Sequence, residues 1–291
     1  MELWTIGKIL KWTENFFAER GIESPRLDAE VLLSHVLKKE RIYLYVHFDE
    51  PLQAEELASF RELIKKRAAR IPVAYLTGER EFMGLKFKVN KDTLIPRPDT
   101  EILVQTAVDA LMKNGDSKIH FADIGTGSGA IALSILKFIP AATAETVDIA
   151  AGALKIAQEN AQNLGVADRI AFHNGDLLAP LTKGENNYSA IISNPPYIPQ
   201  KDIATLAPEV KNAEPMTALS GGMDGLDFYR RLCKDAPKLL TAGGFIAFEV
   251  GINQAAAVAA LARENPLLNP ETIKIIKDYA GIERVVIAWR K

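Results

Sequence analysis

Apolar positions in the first quarter of the chain recur at the spacing of amphipathic helices. The first stripe comprises Leu3, Ile6, Ile9, Leu10 and Phe17, the second runs from Ala29 to Leu37, and the third runs from Leu57 to Ile64. Pro72 follows the third stripe, where it ends the helix because proline lacks a backbone N–H. The pattern predicts a small all-helical N-terminal domain over residues 1–74.

The hydrophobic period becomes alternating in residues 75–92. Leu85 and Phe87 are separated by a lysine, and Gly84 stands where a tight turn is needed. This segment is predicted to be a β-hairpin linker. A stiff stretch containing two prolines follows it, and a helix is expected from about Thr100.

Short apolar runs then alternate with helical patterns. Strands are predicted at 119–124, 143–148, 169–173, 189–193, 244–250, 273–277 and 285–289, with helices such as 129–138 and 152–164 between them. Such alternation is typical of a parallel sheet with helices on both faces. We therefore predict, for residues 93–291, a doubly wound α/β fold with a mostly parallel seven-stranded sheet that ends in an antiparallel hairpin.

Composition and charge narrow the class of protein. The 291 residues carry a formal net charge of −2, which argues against a nucleic-acid binder held mainly by phosphate contacts. The one cysteine, Cys233, excludes an internal disulfide, and no metal site is expected from it or from four scattered histidines. No apolar run approaches the roughly 18 residues of a membrane span, and no signal peptide is evident, so we expect a cytoplasmic protein.

A glycine-rich segment, residues 123–129, follows the first strand of the predicted sheet and opens a helix. Glycines let the backbone turn sharply and let a ligand approach it closely. Asp148 ends the next strand, where its carboxylate can accept hydrogen bonds from two ribose hydroxyls. A nucleoside site is therefore predicted, and the alternative is a plain tight turn between strand and helix. The candidate binding residues are Asp123, Gly125, Thr126, Gly127, Gly129 and Asp148.

The glycine spacing indicates which nucleoside binds. Dinucleotide folds use Gly-x-Gly-x-x-Gly, whereas this loop reads Gly-x-Gly-x-Gly and lacks a Walker lysine. The loop resembles motif I of class I S-adenosylmethionine-dependent methyltransferases, which share the doubly wound sheet. Asp176, at the end of the following strand, is placed to meet the adenine, although a capping or turn aspartate is an open alternative.

A second motif, Asn194-Pro195-Pro196-Tyr197, follows the strand at 189–193. Tandem prolines remove two backbone donors and leave carbonyl acceptors. The Asn194 side-chain carbonyl and the Pro195 carbonyl can therefore accept both hydrogens of a planar –NH2 group, and Tyr197 can position that group. A rigid proline turn without chemistry is the alternative interpretation.

These parts favour methyl transfer to an amide or aryl amine. Such a nitrogen is a poor nucleophile, but a sulfonium methyl is an activated electrophile that needs mainly in-line approach. As the N–C bond forms, positive charge grows on the nitrogen, and the Asn194 and Pro195 carbonyl dipoles stabilise it. No histidine base is required.

With these motifs, the chain resembles the HemK-type release factor glutamine methyltransferases of bacteria. Asn-Pro-Pro-Tyr and the glycine loop are shared with adenine-N6 DNA methyltransferases, so the flanking segments carry the finer resemblance. They are residues 24–30 (SPRLDAE), 70–78 (RIPVAYLTG), 94–101 (LIPRPDTE) and 214–226 (EPMTALSGGMDGL). The resemblance covers nearly the whole chain.

The resemblance implies an enzyme that methylates N5 of the glutamine in the Gly-Gly-Gln motif of class 1 release factors. S-Adenosyl-L-methionine is the implied cofactor and S-adenosyl-L-homocysteine its product, with Asn194, Pro195, Pro196 and Tyr197 as the implied glutamine-holding residues. Asn194 and Leu177 join the cofactor residues, although some relatives place an aromatic residue at the position of Leu177. The implied partner is the release factor, gripped by residues 1–74 of a monomer, without membrane or direct nucleic-acid contact.

Other substrates stay open beside this prediction. One alternative is the glutamine of a ribosomal protein, and another is an exocyclic amine in nucleic acid. The second requires an extruded base, usually with a basic cleft, which the balanced charge of the N-terminal region does not favour. A third is a non-catalytic S-adenosylmethionine-binding interaction protein, which the intact Asn-Pro-Pro-Tyr motif disfavours.

Overall fold

The computed structural model describes residues 3–113, 118–183 and 187–291. The chain forms two compact units. The helical unit comprises Met1–Glu79 together with Ala207–Ala213, and the sheet unit comprises Arg80–Leu206 together with Glu214–Lys291. Among the helices of the described ranges, none is both long and apolar enough to cross a membrane.

The helical unit buries the apolar stripes that the sequence indicates. Its helices are α1 (Ile6–Ala18), α2 (Pro25–Leu37), α3 (Arg41–Val46), α4 (Ala54–Ala68), α5 (Val73–Thr77) and, from the later segment, α9 (Pro208–Lys211). Phe17, Leu32 and Phe60 lie fully buried in its core. The pattern did not predict α3 or α5. Pro72 precedes α5 instead of only ending α4, because the first turn of a helix needs no N–H from its first residues.

A buried arginine, Arg67, connects the segment Ala207–Ala213 to the rest of the helical unit. Nε of Arg67 donates to Asp28 Oδ2 at 2.7 Å, and its Nη2 donates to Glu209 Oε1 at 3.0 Å. Arg70 also donates to Glu209, at 3.0 Å. These bonds lower the pKa of Glu209 although its burial acts in the opposite direction.

Replacing Arg67 by methionine is expected to destabilise the helical unit by about 3 kcal/mol, because the largely buried Asp28 then loses its ion-pair partner and Glu209 keeps only Arg70. Urea unfolding followed by circular dichroism measures this. The matched control is Lys65→Met on the same helix, whose exposed ion pair with Glu62 at 2.7 Å contributes about 0.5 kcal/mol or less. Equal stability losses in the two variants would contradict the assigned role of Arg67.

The sheet unit contains the predicted seven-stranded sheet. Its strands are β3 (His120–Ile124), β4 (Thr143–Asp148), β5 (Ile170–Asn174), β6 (Tyr188–Ser193), β7 (Leu240–Glu249), β8 (Lys274–Lys277) and β9 (Glu283–Trp289). The order is β5-β4-β3-β6-β7-β9-β8, and only the pairs of β9 with β7 and β8 are antiparallel. A separate two-stranded hairpin, β1 (Glu79–Phe82) and β2 (Leu85–Lys88), precedes this sheet. The predicted fold class is confirmed.

Helices cover both faces of the sheet. They are α6 (Thr100–Lys113), α7 (Ala130–Phe138), α8 (Ala151–Asn163), α10 (Asp227–Asp235) and α11 (Ala255–Arg263). Side chains alternate along β6, so Ile192 packs into the cluster with α6 and α7, whereas Ile191 packs into the cluster with α10 and α11. Burial on both faces explains why every residue of the central strand β6 is buried.

The strand order places a crevice beside β3. β3 pairs with β4 on one side and with β6 on the other, both in parallel. The chain runs from β3 to β4 and β5 on one side and then crosses from β5 to β6 on the other, and open α/β sheets bind ligands at such a point, outside the carboxyl ends of the strands. The glycine loop after β3 and the proline motif after β6 therefore meet at one edge.

Candidate active site

The glycine loop is shaped by its backbone angles. Gly125 and Gly127 have φ of +77° and +55°, and a Cβ added to either would contact nothing within 4 Å. Gly129 differs, because a Cβ there would lie 2.7 Å from a methyl carbon of Leu133. The first two glycines leave the loop surface open to a ligand, while the third lets α7 begin close against the loop.

Asp148 lies at the end of β4, directly beside this loop. Its Oδ2 accepts from the Gly127 N–H at 2.8 Å and its Oδ1 from the Ala150 N–H at 2.9 Å. Burial raises the pKa of Asp148, and these backbone donors limit the rise. Each carboxylate oxygen keeps a further lone pair, so the group can also accept from ribose hydroxyls.

Asp123 supports the loop from inside the protein. It is fully buried, and the Thr126 hydroxyl donates to its Oδ2 at 2.8 Å. Burial raises the pKa of Asp123 to about 7, which the Thr126 hydroxyl counteracts. Asp123, Thr126 and Gly129 do not line the cavity described below, so they shape the loop, and direct contact with a cofactor stays a prediction for them.

A cavity of about 370 Å³ opens where the loops meet. Seven of the predicted site residues line it: Gly125, Gly127, Asp148, Asp176, Leu177, Asn194 and Pro196. The volume lies within the range of small-molecule sites, and its lining is mostly apolar with a few polar groups. A methyl donor that carries a nucleoside fits this cavity. The glycine backbone is open to it, the Asp148 carboxylate can accept hydrogen bonds from ribose, and the walls are mostly apolar.

Several lining residues were missed by the sequence reasoning. Ile149 follows Asp148 and is 62% exposed, which is unusual for isoleucine. Phe228, on α10, supplies the aromatic ring that Leu177 does not. Met216 belongs to the segment that carried part of the family resemblance but received no role. An apolar residue directly after Asp148 was an available signal for Ile149, whereas no local signal pointed to Phe228.

Asp176 has a protein partner in the structure. Arg231 donates to its Oδ2 at 2.5 Å, and both side chains are about half exposed. Asp176 also lines the cavity, next to Leu177. Its contact with adenine stays a prediction.

The Asn-Pro-Pro-Tyr segment is held from several sides. The hydroxyl of Ser193 donates to the carbonyl of Ile124 at 2.6 Å, which ties the end of β6 to β3. Gln254 Nε2 donates to the Tyr197 carbonyl at 2.9 Å. A Cβ on Gly225 would lie 2.3 Å from that same carbonyl, so only glycine permits this close approach. The segment is therefore rigid before any substrate arrives.

Asn194 and Tyr197 present their groups in defined states. Nδ2 of Asn194 donates to the Thr100 hydroxyl at 3.2 Å, and no described residue donates to its Oδ1. Burial raises the pKa of Tyr197 to about 12, so the phenol stays protonated at neutral pH. The side-chain carbonyl of Asn194 is consequently available as an acceptor.

The residues before α6 are anchored near the cavity. The buried Glu214 carboxylate accepts from the Arg97 guanidinium and, at 3.3 Å, from the Ile95 N–H. Arg97 thereby connects residues 94–98 to the segment that contains Met216, which is a structural role. Within the described ranges, no group of three or more His, Cys, Asp or Glu side chains is arranged to hold a metal ion.

Comparisons with known proteins concern the domains and the fold of the chain. The PrmC N-terminal domain model matches residues 8–78, and the methyltransferase small domain model matches residues 99–217. A methyltransferase crystal structure from Pyrococcus furiosus has a TM-score of 0.52 at 18% identity, covering 77% of this chain and 98% of that chain. At this identity the likeness concerns the fold, and the fold with its site defines a class I methyltransferase.

Two curated relatives are similar over nearly their full length. The release factor glutamine methyltransferase of Geobacter sulfurreducens is 43% identical, over 98% of this chain and 96% of the relative. That of Bacillus anthracis is 39% identical, over 97% of this chain and 98% of the relative. The chain belongs to the release factor glutamine methyltransferase family. This confirms the recognised resemblance and the predicted enzyme class, protein-(glutamine-N5) methyltransferase.

Proposed function

We propose that this protein transfers the methyl group of S-adenosyl-L-methionine to N5 of the glutamine in the Gly-Gly-Gln motif of class 1 release factors. One observation carries the proposal: a single cavity is lined by the glycine loop, by Asp148 and by Asn194 with Pro196. The relatives named for this activity support the choice of substrate.

The cofactor is assigned to the loop side of the cavity. Asp148 accepts from the ribose hydroxyls, the backbone of Gly125 and Gly127 faces the amino acid portion, and Ile149 and Leu177 contact the adenine. When bound, S-adenosyl-L-methionine supplies an electrophilic methyl group on a sulfonium and leaves as S-adenosyl-L-homocysteine.

The residues of the motif bind and orient the glutamine amide. Asn194 Oδ1 and the Pro195 carbonyl accept its two N–H hydrogens, which turns the nitrogen lone pair toward the methyl group. Pro196 has no backbone N–H, so it cannot compete with the substrate for these two carbonyl acceptors, and Tyr197 packs beside the glutamine side chain. The carbonyl dipoles stabilise the positive charge that grows on nitrogen as the N–C bond forms. The excess proton then leaves to solvent.

The helical unit is proposed to recognise the release factor. Its exposed aromatic surface includes Trp12, stacked on Phe16 at 4.9 Å, with the Arg20 guanidinium over Phe16 at 3.6 Å. Aromatic and arginine side chains are enriched at protein interfaces. The proposed enzyme acts as a monomer on a translation factor, in the cytoplasm.

The first experiment measures methyl transfer from labelled S-adenosyl-L-methionine. The acceptors are a purified release factor, its Gln→Ala variant at the Gly-Gly-Gln motif, a ribosomal protein mixture and duplex DNA. We expect label only on the unaltered factor, because the neutral surface charge does not favour a nucleic-acid substrate. Label on ribosomal protein or DNA alone would replace the substrate assignment, and cofactor binding without any transfer would favour an interaction protein.

A further inference from the structure

Two buried polar residues lie next to Asn194. Thr100 is the first residue of α6 and Glu249 is the last residue of β7, and their exposed fractions are 5% and 2%. The Thr100 hydroxyl accepts from Asn194 Nδ2 at 3.2 Å. The Thr100 hydroxyl and the Asn194 carboxamide both lower the pKa of the neighbouring Glu249 carboxyl, and the buried Oε2 of that carboxyl has no hydrogen-bond partner among the described residues. Neighbouring buried polar groups constrain the direction of one another's hydrogen bonds, because each buried donor needs an acceptor.

The chemistry of the carboxylate sets the direction of these hydrogen bonds. An ionised carboxylate can only accept, and no described residue accepts the Thr100 hydroxyl proton, so the unpartnered oxygen of the neighbouring Glu249 is the acceptor expected for it. The Thr100 oxygen then presents only lone pairs to Asn194, and it accepts from the –NH2 end of that amide. Asn194 Oδ1 must consequently face the other way, toward the cavity that Asn194 lines.

We propose that Glu249, acting through Thr100, is a positioning residue that fixes the orientation of the Asn194 carboxamide. This inference rests on the proposed function, in which Oδ1 receives an N–H of the substrate amide. With the amide turned over, Nδ2 would meet the substrate –NH2 group donor against donor, and its partial positive charge would oppose the charge that grows on nitrogen.

The surroundings of Glu249 make this orientation dependent on pH. The pKa of Glu249 is raised to about 7, because burial and the nearby Asp99 raise it more than Thr100, Arg284 on β9 and Asn194 lower it. The remaining titratable neighbours are Tyr197 and Tyr229, both with a raised pKa, and the Tyr229 hydroxyl donates to the Glu249 backbone carbonyl at 2.6 Å.

Protonation of Glu249 reverses the direction of the hydrogen bonds that link Glu249, Thr100 and Asn194. A protonated carboxyl can donate to the Thr100 oxygen, which frees the Thr100 hydroxyl to donate to Asn194 Oδ1. That bond occupies the acceptor that the substrate needs. Methyl transfer is therefore expected to be at its full rate above about pH 7 and to fall as the pH decreases below it.

The kinetic test compares Thr100→Val, Thr100→Ser and Glu249→Gln with Glu145→Gln, a control carboxylate on β4 outside the site. Thr100→Val should lower kcat about tenfold with unchanged affinity for S-adenosyl-L-methionine, a smaller loss than removal of a charge-stabilising group itself. Thr100→Ser should restore most of kcat. Glu249→Gln should abolish the decrease in kcat on the acid side, whereas Glu145→Gln should keep it. A folded Thr100→Val variant with unaltered kcat, or a Glu249→Gln variant that keeps the acid-side decrease, would overturn the proposal.

A second measurement is independent of activity. The side-chain NH2 signals of Asn194, assigned by their loss in Asn194→Asp, should shift with pH with a midpoint of about 7 in the full-length protein and not in Glu249→Gln. Absence of this titration would also overturn the proposal that Glu249 orients Asn194. If the Asn194 signals titrate but the release factor is not methylated, the proposed function is refuted, and the role of Glu249 in orienting Asn194 is still supported.

Discussion

Asn194→Ala is expected to lower kcat for release factor methylation by about 10²–10³-fold, the loss typical for removal of one preorganised group at a developing charge. The reason is that Oδ1 is one of only two acceptors proposed for the substrate amide, and no described residue donates to it in the structure. Steady-state kinetics with saturating S-adenosyl-L-methionine measure the change. Cofactor affinity should change less than turnover, because the contacts proposed for the ribose and the amino acid portion come from Asp148 and the glycine loop, and Asn194 is only one further predicted cofactor residue.

The matched control for this variant is Asn187→Ala. Asn187 is an exposed asparagine directly before β6, and Asn194 directly follows that same strand. We expect its turnover to equal that of the unaltered protein. If Asn194→Ala kept normal turnover, the acceptor role of the side chain would be wrong, and binding by backbone carbonyls alone would have to explain the reaction.

Asp148→Ala is expected to weaken binding of S-adenosyl-L-methionine by about 10²-fold or more. Each hydrogen bond to a charged group contributes about 1.5–3 kcal/mol, and the carboxylate is proposed to accept two of them from ribose. The Gly127 N–H also loses its acceptor, which lies at 2.8 Å in the unaltered protein. Isothermal titration calorimetry with S-adenosyl-L-homocysteine measures the effect without turnover.

Asp168→Ala is the control for the cofactor prediction, since Asp168 is an exposed aspartate next to β5. It should bind the cofactor product with unaltered affinity. An Asp148→Ala variant with the same affinity as this control would refute the ribose assignment. The two main predictions are also separable from each other, because the Asn194 variant should lose turnover and the Asp148 variant should lose affinity.

Local patterns predicted much of the fold because they depend on neighbours a few residues away. The alternation of apolar runs and helical stripes predicted all seven strands of the main sheet, and β4 has the bounds that the pattern indicated. Two short helices were not predicted. α3 has six residues and α5 has five, too few for a helical period to show.

The sequence by itself determined which chemical groups the site contains. Glycines after one strand, an acid after the next and an Asn-Pro-Pro-Tyr segment after a later one each carry their chemistry within a few consecutive residues. Because parallel strands place their carboxyl ends at one edge, the meeting of these motifs also followed from the predicted sheet.

Only the tertiary structure decided which distant residues support them. Thr100 and Asn194 are 94 positions apart, and Arg67 and Glu209 are 142 apart. Such pairs form through the order of strands and the packing of helices, and no periodicity along the chain encodes them. The orientation of the Asn194 amide and the aromatic wall at Phe228 depend on these long-range contacts, so they became visible only in the folded molecule.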